Sequence, residues 1–233
     1  MFDTGKCFKI TGLTLLLMFV ALSPIQAREV VVTVTDMAGQ PLEGAVVSLA
    51  VGTTKWSPRS MNEAAIMDQV GMQFLPRVLA INTGDYVSFP NSDNVRHHVY
   101  SFSEPKVFEI KLYADTPKEP LQFDKPGIVV LGCNIHDGML GYLYVTEPGY
   151  VSGTTDKKGN LRLQTDGDIS GARIWHERLS VIETELVELS EEGIAAFESG
   201  ENTYLVTIDP EVPAPDTAPE KPSPTGFGNT MRR

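Results

Sequence analysis

The chain reads as all-β, an antiparallel sandwich with further strands on either side of it. Between Arg28 and Asp209 the apolar residues fall in short runs, many alternating with polar ones, and turn-forming residues separate the runs at short spacing. That is the period of half-buried strands, and no sustained helical period competes with it. The segment from Ile66 to Val145 is a self-contained series of such strands, set off upstream by the polar connection Gly52 to Ala65.

Taken in order, the chain opens on Lys6 and Lys9, the apolar run Leu13 to Leu22, and Ile25-Gln26-Ala27. These have the layout of a cleavable secretory signal over residues 1–27, too short in its apolar part to span a membrane. Arg28 to Val51, REVVVTVTDMAGQPLEGAVVSLAV, is strand, turn at Asp36 to Pro41, and strand from Ala45. In the middle region two strands flank the turn Asn82-Thr83-Gly84-Asp85. His97 to Phe102, Phe108 to Tyr113 and the apolar strand Ile128 to Leu131 follow, the last entered through the turn Lys125-Pro126-Gly127. Beyond Val145, ARIWHERL, SVIETELVEL and TYLVTID are further strand candidates, and Glu191 to Gly200 has room for a short helix. Trp175 and His176 read as a core aromatic and a satisfied histidine, since no second ligand type stands near them. From Pro210 onward the chain is proline-rich with few apolar residues, the composition of a disordered tail.

The first strand pair, VTDxxGxPLxGAxVxL, resembles the opening of transthyretin-like or carboxypeptidase-regulatory β-sandwich modules. Those modules continue with a TDxxGxLxL strand, which stands here only at Thr155 to Leu163. The resemblance implies a discontinuous small sandwich from residues 28–60 and 146–209, with residues 61–145 inserted as a second sandwich and 210–233 as the tail. Two domains in series, with the first strand pair belonging to the middle one, is the alternative arrangement.

Composition narrows the chemistry. Removal of residues 1–27 leaves 17 basic and 29 acidic residues, a net charge of −12. That disfavours nucleic acid and anionic lipid as partners and suits a basic protein surface. There is no HExxH, no nucleophile elbow and no phosphate-cradling glycine loop, so no catalytic set is evident. Cleavage would also remove Cys7, leaving Cys133 as a lone thiol in a compartment where thiols pair. Metal ligation gives such a thiol a purpose; a buried inert cysteine is the other reading.

In LGCNIHDGMLGYLYV, Cys133, His136 and Met139 fall within seven residues. A thiolate, an imidazole and a thioether, completed by a second histidine, are the donors of a copper electron-transfer site. The missing imidazole must come from upstream, where His97 and His98 stand side by side.

The flanking sequence now carries a resemblance. GDYVSFPNSDNVRHHVYSF is similar to the first-histidine segment of cupredoxins such as amicyanin and plastocyanin, in which a GDxVxFxN strand leads to the ligand. Cys133-x2-His136-x2-Met139 has the short spacing of the amicyanin loop. The likeness covers residues 66 to 145 and implies a Greek-key cupredoxin sandwich with one mononuclear type 1 copper. It implies His97, Cys133 and His136 as the equatorial ligands and Met139 as the axial one. Asn91 would bridge the two ligand loops, and His98, standing where the family has asparagine, offers an additional imidazole. Asn134-Ile135 and Gly138 depart from the family pattern and imply a looser loop. FPNSDNVRHHVYSFS with LGCNIHDGM resembles more specifically the periplasmic cupredoxin-domain proteins called methylamine utilization proteins. The function implied is periplasmic electron transfer to a redox protein partner, with no enzymatic activity. Copper handling, or assembly of a redox enzyme, is the alternative.

Overall fold

The computed structural model describes residues 28–52, 57–117, 119–166, 168–179, 185–189 and 203–208. The expected leader 1–27, the short helix within 191–200 and the tail 210–233 lie outside the described residues.

Seventeen strands follow in order among the described residues: β1 (Arg28–Asp36), β2 (Val46–Ala50), β3 (Ala65–Ile66), β4 (Asp68–Val70), β5 (Gln73–Leu75), β6 (Val78–Asn82), β7 (Tyr86–Ser88), β8 (His97–Ser101), β9 (Phe108–Tyr113), β10 (Leu121–Gln122), β11 (Gly127–Gly132), β12 (Leu140–Thr146), β13 (Tyr150–Thr154), β14 (Asn160–Thr165), β15 (Gly171–Trp175), β16 (Val187–Glu188) and β17 (Thr203–Ile208). The one helical element among the described residues is a 3-10 turn, Met61–Glu63. The fold is all-β.

In the middle region a five-stranded sheet, β6-β12-β11-β8-β9, faces a three-stranded one, β10-β7-β3. Both contribute to one apolar cluster, with Ile81, Val99, Val129, Leu131 and Leu143 from the larger sheet and Ala65 and Val87 from the smaller. Fully burying a Val, Leu, Ile or Phe side chain stabilises by ~1.5–3 kcal/mol. Such a cluster is therefore a firm wall for anything built on it. Alternation is clean on β8, where His97, Val99 and Ser101 are buried and His98 and Tyr100 are half-buried.

Strands before residue 52 pair with strands from Tyr150 onward. β1 lies between β14 and β17, and β2 between β13 and β15. Val30, Val32 and Val34 of β1 meet Val47 and Leu49 of β2 and Ile174 of β15 in a second apolar cluster. The two turns that begin with Thr-Asp are built alike. Asp36 Oδ1 accepts the amides of Ala38 and Gln40, and Asp156 Oδ1 those of Lys158 and Asn160. A carboxylate that satisfies two turn amides fixes the turn locally. Gly159 at φ 72° lies so close to β1 that a Cβ there would stand 2.4 Å from the Val34 carbonyl oxygen.

β2 and β12 are buried on both faces, which a continuous apolar run permits and simple alternation does not. Leu143 and Val145 of β12 face the middle cluster, whereas Tyr142 and Tyr144 face a third cluster with Val46, Val78, Ile128 and Trp175. This cluster joins the flanking sheets to the middle ones.

The segment before the turn at Asn82 differs from the expectation. Between Met67 and Asn82 the sequence suggests one strand before the turn; the structure has three, because β4 and β5 form a tight hairpin. Its tip, Gly71-Met72, places both residues at positive φ, 60° and 58°. A methionine in that conformation is uncommon, so the usual turn dipeptides gave no warning.

Candidate metal centre

His97 begins β8 and is fully buried, pointing inward, while His98 takes the opposite face by strand alternation. Cys133 follows β11 directly and Met139 directly precedes β12. Since Gly132 pairs with Leu140, residues 133–139 are the loop of an antiparallel hairpin. Inside it, the Cys133 amide donates to the Met139 carbonyl and the Met139 amide to the His136 carbonyl, both at 3.3 Å. Gly138 sits at φ +74° with nothing within 4 Å of a notional Cβ. The glycine that the sequence suggests as a loosening feature is thus what lets the loop turn.

Three donor atoms converge. His97 Nδ1 lies 3.0 Å from His136 Nδ1 and 3.8 Å from Cys133 Sγ, and His136 Nδ1 lies 3.5 Å from Cys133 Sγ. A point equidistant from all three lies about 2.0 Å from each, which is a first-row metal–nitrogen bond length and slightly below a metal–thiolate one. Two imidazoles and one thiolate at that spacing fit copper. Met139 is buried in the same apolar cluster as Cys133. Among the described residues no other set of His, Cys, Asp or Glu donors gathers in this way.

A carboxylate absent from the sequence expectation completes the upstream side. Asp93 Oδ2 lies 3.1 Å from His97 Nε2 and accepts the Met72 amide at 2.8 Å. The Met72 amide and then the His97 ring hold the Asp93 carboxyl below the usual range. With Asp93 ionised, His97 carries its proton on Nε2, and Nδ1 keeps a free lone pair toward the triangle. The only sequence trace of this is an acidic residue four positions before the histidine.

Asn91 is buried beside it. Its Nδ2 donates to the carbonyls of Val95 (2.8 Å) and Tyr113 (3.0 Å), and its Oδ1 accepts the Asp93 amide (3.0 Å). The bridge from Asn91 to the cysteine loop implied by the resemblance runs instead within the upstream arm and to β9. Behind it, the Tyr113 hydroxyl donates to the Phe89 carbonyl at 2.8 Å and accepts from Gln69 Nε2, which also donates to the Pro90 carbonyl at 3.0 Å. Burial above all pushes the Tyr113 phenol up to about 12.

His98 is not brought to the triangle. Its Nε2 lies 3.0 Å from Glu109 Oε1 on β9. Trp175 is buried against Tyr142, with 5.2 Å between ring centroids. His176 Nε2 donates to the Glu43 carbonyl at 3.1 Å.

No family model matches the chain, and no curated protein matches it. Solved structures do resemble it. A proline-to-glycine variant of amicyanin in its reduced Cu(I) form at pH 4 is 22% identical, covering 38% of this chain and 91% of its own, with a TM-score of 0.33. A purple cupredoxin from Nitrosopumilus maritimus is 22% identical, covering 35% of this chain and 99% of its own, with a TM-score of 0.31. A copper-containing nitrite reductase from Thermus scotoductus is 26% identical over 50% of this chain and 28% of its own, with a TM-score of 0.35.

Proposed function

We propose that this chain is a periplasmic, non-enzymatic carrier of single electrons that uses one type 1 copper ion. The ligands are His97, Cys133 and His136, with Met139 as the weak fourth donor. One observation carries the reading: the sole thiol among the described residues closes a triangle with two imidazole nitrogens at distances that fit a shared metal. Copper at such a donor set supplies a one-electron couple with little geometric rearrangement.

The protein's part is to hold the donors still. His97 is locked by burial and by Asp93, so its ring keeps one tautomer and one orientation. Burial of Cys133 keeps the thiol from pairing with outside thiols. His136 is half-buried, with Gly138 exposed and Leu140 half-buried beside it, and its ring edge is the route by which the electron leaves. The acidic chain favours a redox protein partner with a basic surface. The leader-like residues 1–27 favour export. The Thr-Asp-x-x-Gly turns and the pairing of β1 with β14 favour a carboxypeptidase-regulatory-like unit of residues 28–60 and 146–209 around a cupredoxin insert, 61–145. The likeness of FPNSDNVRHHVYSFS and LGCNIHDGM is what favours a protein of the methylamine utilization type.

Copper titration of the mature chain, followed by optical and EPR spectroscopy, tests this. The expected result is an intense thiolate-to-Cu(II) band at one equivalent that bleaches and returns on reduction and reoxidation. Absence of the band, or loss of the metal on cycling, overturns electron transfer. Ready passage of Cu(I) to a competing apo-protein would point instead to copper handling, a role consistent with the solvent-exposed Asn134, Ile135, Asp137 and Gly138 of the ligand loop.

A further inference from the structure

The segment Trp175-His176-Glu177 belongs to the flanking sheets, and the metal centre uses none of it directly. Each of its side chains nevertheless has a fixed task at the junction. Trp175 packs on Tyr142 of β12. His176 pins its own backbone, donating from Nε2 to the Glu43 carbonyl and accepting the Arg178 amide on Nδ1 at 3.2 Å. Glu177 then receives the guanidinium of Arg77, with Nε at 2.8 and 3.0 Å from its two oxygens and Nη2 at 2.6 Å.

The other edge of the same guanidinium faces the metal loop. Arg77 Nη1 donates to the Leu140 carbonyl at 3.3 Å, and the Arg77 carbonyl accepts the Tyr142 amide at 2.9 Å. Leu140 is the residue directly after Met139. A guanidinium is planar with its donors in a fixed fork, so a carboxylate that fills one edge decides where the other edge points. The loop itself is held from within by two bonds of 3.3 Å. Its position therefore depends on what grips its downstream end.

We propose that Arg77, oriented by Glu177, is a positioning residue of the metal centre: by holding the Leu140 carbonyl it sets where the Met139 thioether stands, and through it the flanking sheets tune the site. The proposal rests on the copper reading above. The axial bond of such a centre is long and weak, so its length follows the protein more than the metal does.

The test uses the full mature chain loaded with copper, in Arg77→Lys, Glu177→Gln, Glu177→Asp and the double variant Arg77→Met with Glu177→Leu. The double variant replaces a partly buried ion pair with apolar groups, an exchange that folded proteins tolerate. The readouts are the relative intensities of the thiolate-to-Cu(II) bands, the EPR rhombicity, the reduction potential and the copper(I) affinity, with the melting midpoint recorded beside them. Arg77→Lys, Glu177→Gln and the double variant are expected to shift bands, rhombicity and potential in one common direction and to lower copper(I) affinity about 10-fold. Glu177→Asp is expected to restore part of the shift. A double variant with wild-type spectra, potential and affinity overturns the proposal, whatever its melting point, and leaves the pair as a fastener between sheets. If the wild-type chain shows no copper band, the copper reading fails separately. The grip itself is then read from the carbonyl carbon chemical shift of Leu140 in the metal-free chain, displaced in the variants if the Arg77 guanidinium holds that carbonyl and unchanged if it does not.

Discussion

The upstream arm of the site, Asn91 to His97, and the downstream arm, Cys133 to Met139, deliver their donors by different physical means. Upstream, the Asn91 amide group makes three hydrogen bonds, Asp93 receives the Met72 and Asn94 amides, and His97 stands on a strand with its far nitrogen against Asp93. Downstream, a turn that needs Gly138 and two bonds of 3.3 Å carry Cys133, His136 and Met139, and His136 Nε2 has no protein partner among the described residues. One arm is a preset anvil and the other an adjustable jaw. The contrast teaches that donor identity and donor placement are separate problems: the stiff arm solves placement by local bonds, the soft arm by what grips its ends.

Breaking the jaw at its thiolate has the largest effect. Cys133→Ser is expected to abolish the charge-transfer band entirely; a variant that keeps the band and full copper affinity would remove the site assignment. Breaking the anvil comes next. Asp93→Ala leaves His97 Nε2 unmet in a buried position, and copper affinity is expected to fall ~10–100-fold, as it does when the outer partner of a ligating histidine is lost. Competition with a chelator of known affinity reads this, and an unchanged value would show that the upstream arm does not depend on Asp93.

Gly138→Ala probes the jaw without emptying it. No atom obstructs the new methyl group, so the cost is the positive φ alone, about 1 kcal/mol of stability of the metal-free chain. Chemical denaturation measures it, and a loss of several kcal/mol would mean the loop is packed more tightly than its open surroundings indicate.

The smallest effect reaches the jaw from outside, through pH. Burial pushes the His176 imidazole below its ordinary value of 6.5, and its Nδ1 must stay unprotonated to accept the Arg178 amide. The unfolded chain therefore binds this proton more readily than the folded one. The contribution of His176 is fully present above pH 6.5 and is lost as pH falls toward the lower folded value. A His176→Gln variant is expected to show a flatter decline of denaturation midpoint between pH 7.5 and 5 than the parent. An identical decline in both would place the acid sensitivity elsewhere.

Much of this was legible beforehand, and the reasons for the rest are physical. Cys133, His136 and Met139 announce themselves because a hairpin loop keeps sequence neighbours together in space. Asp36 announces its turn for the same reason. Asp93 is not legible in the sequence because its approach to His97 depends on the Met72 amide, offered by a hairpin whose tip, Gly71-Met72, is not one of the usual turn dipeptides. Arg77 and Glu177 are a hundred residues apart, and nothing local links them. What covers the outer face of β12, Val46 of β2 and Trp175 of β15, was likewise not legible, since both lie far from β12 along the chain.

The sequence by itself determined the all-β character, the kinds of donor available and the local turns, because those depend on residue type and on a period of two. Tertiary structure decided which of the adjacent histidines faces the cysteine, what holds that histidine's far nitrogen, and what grips the loop beyond Met139. Those choices follow from register between strands distant in the chain, where a shift of one residue would exchange His97 for His98 at the centre.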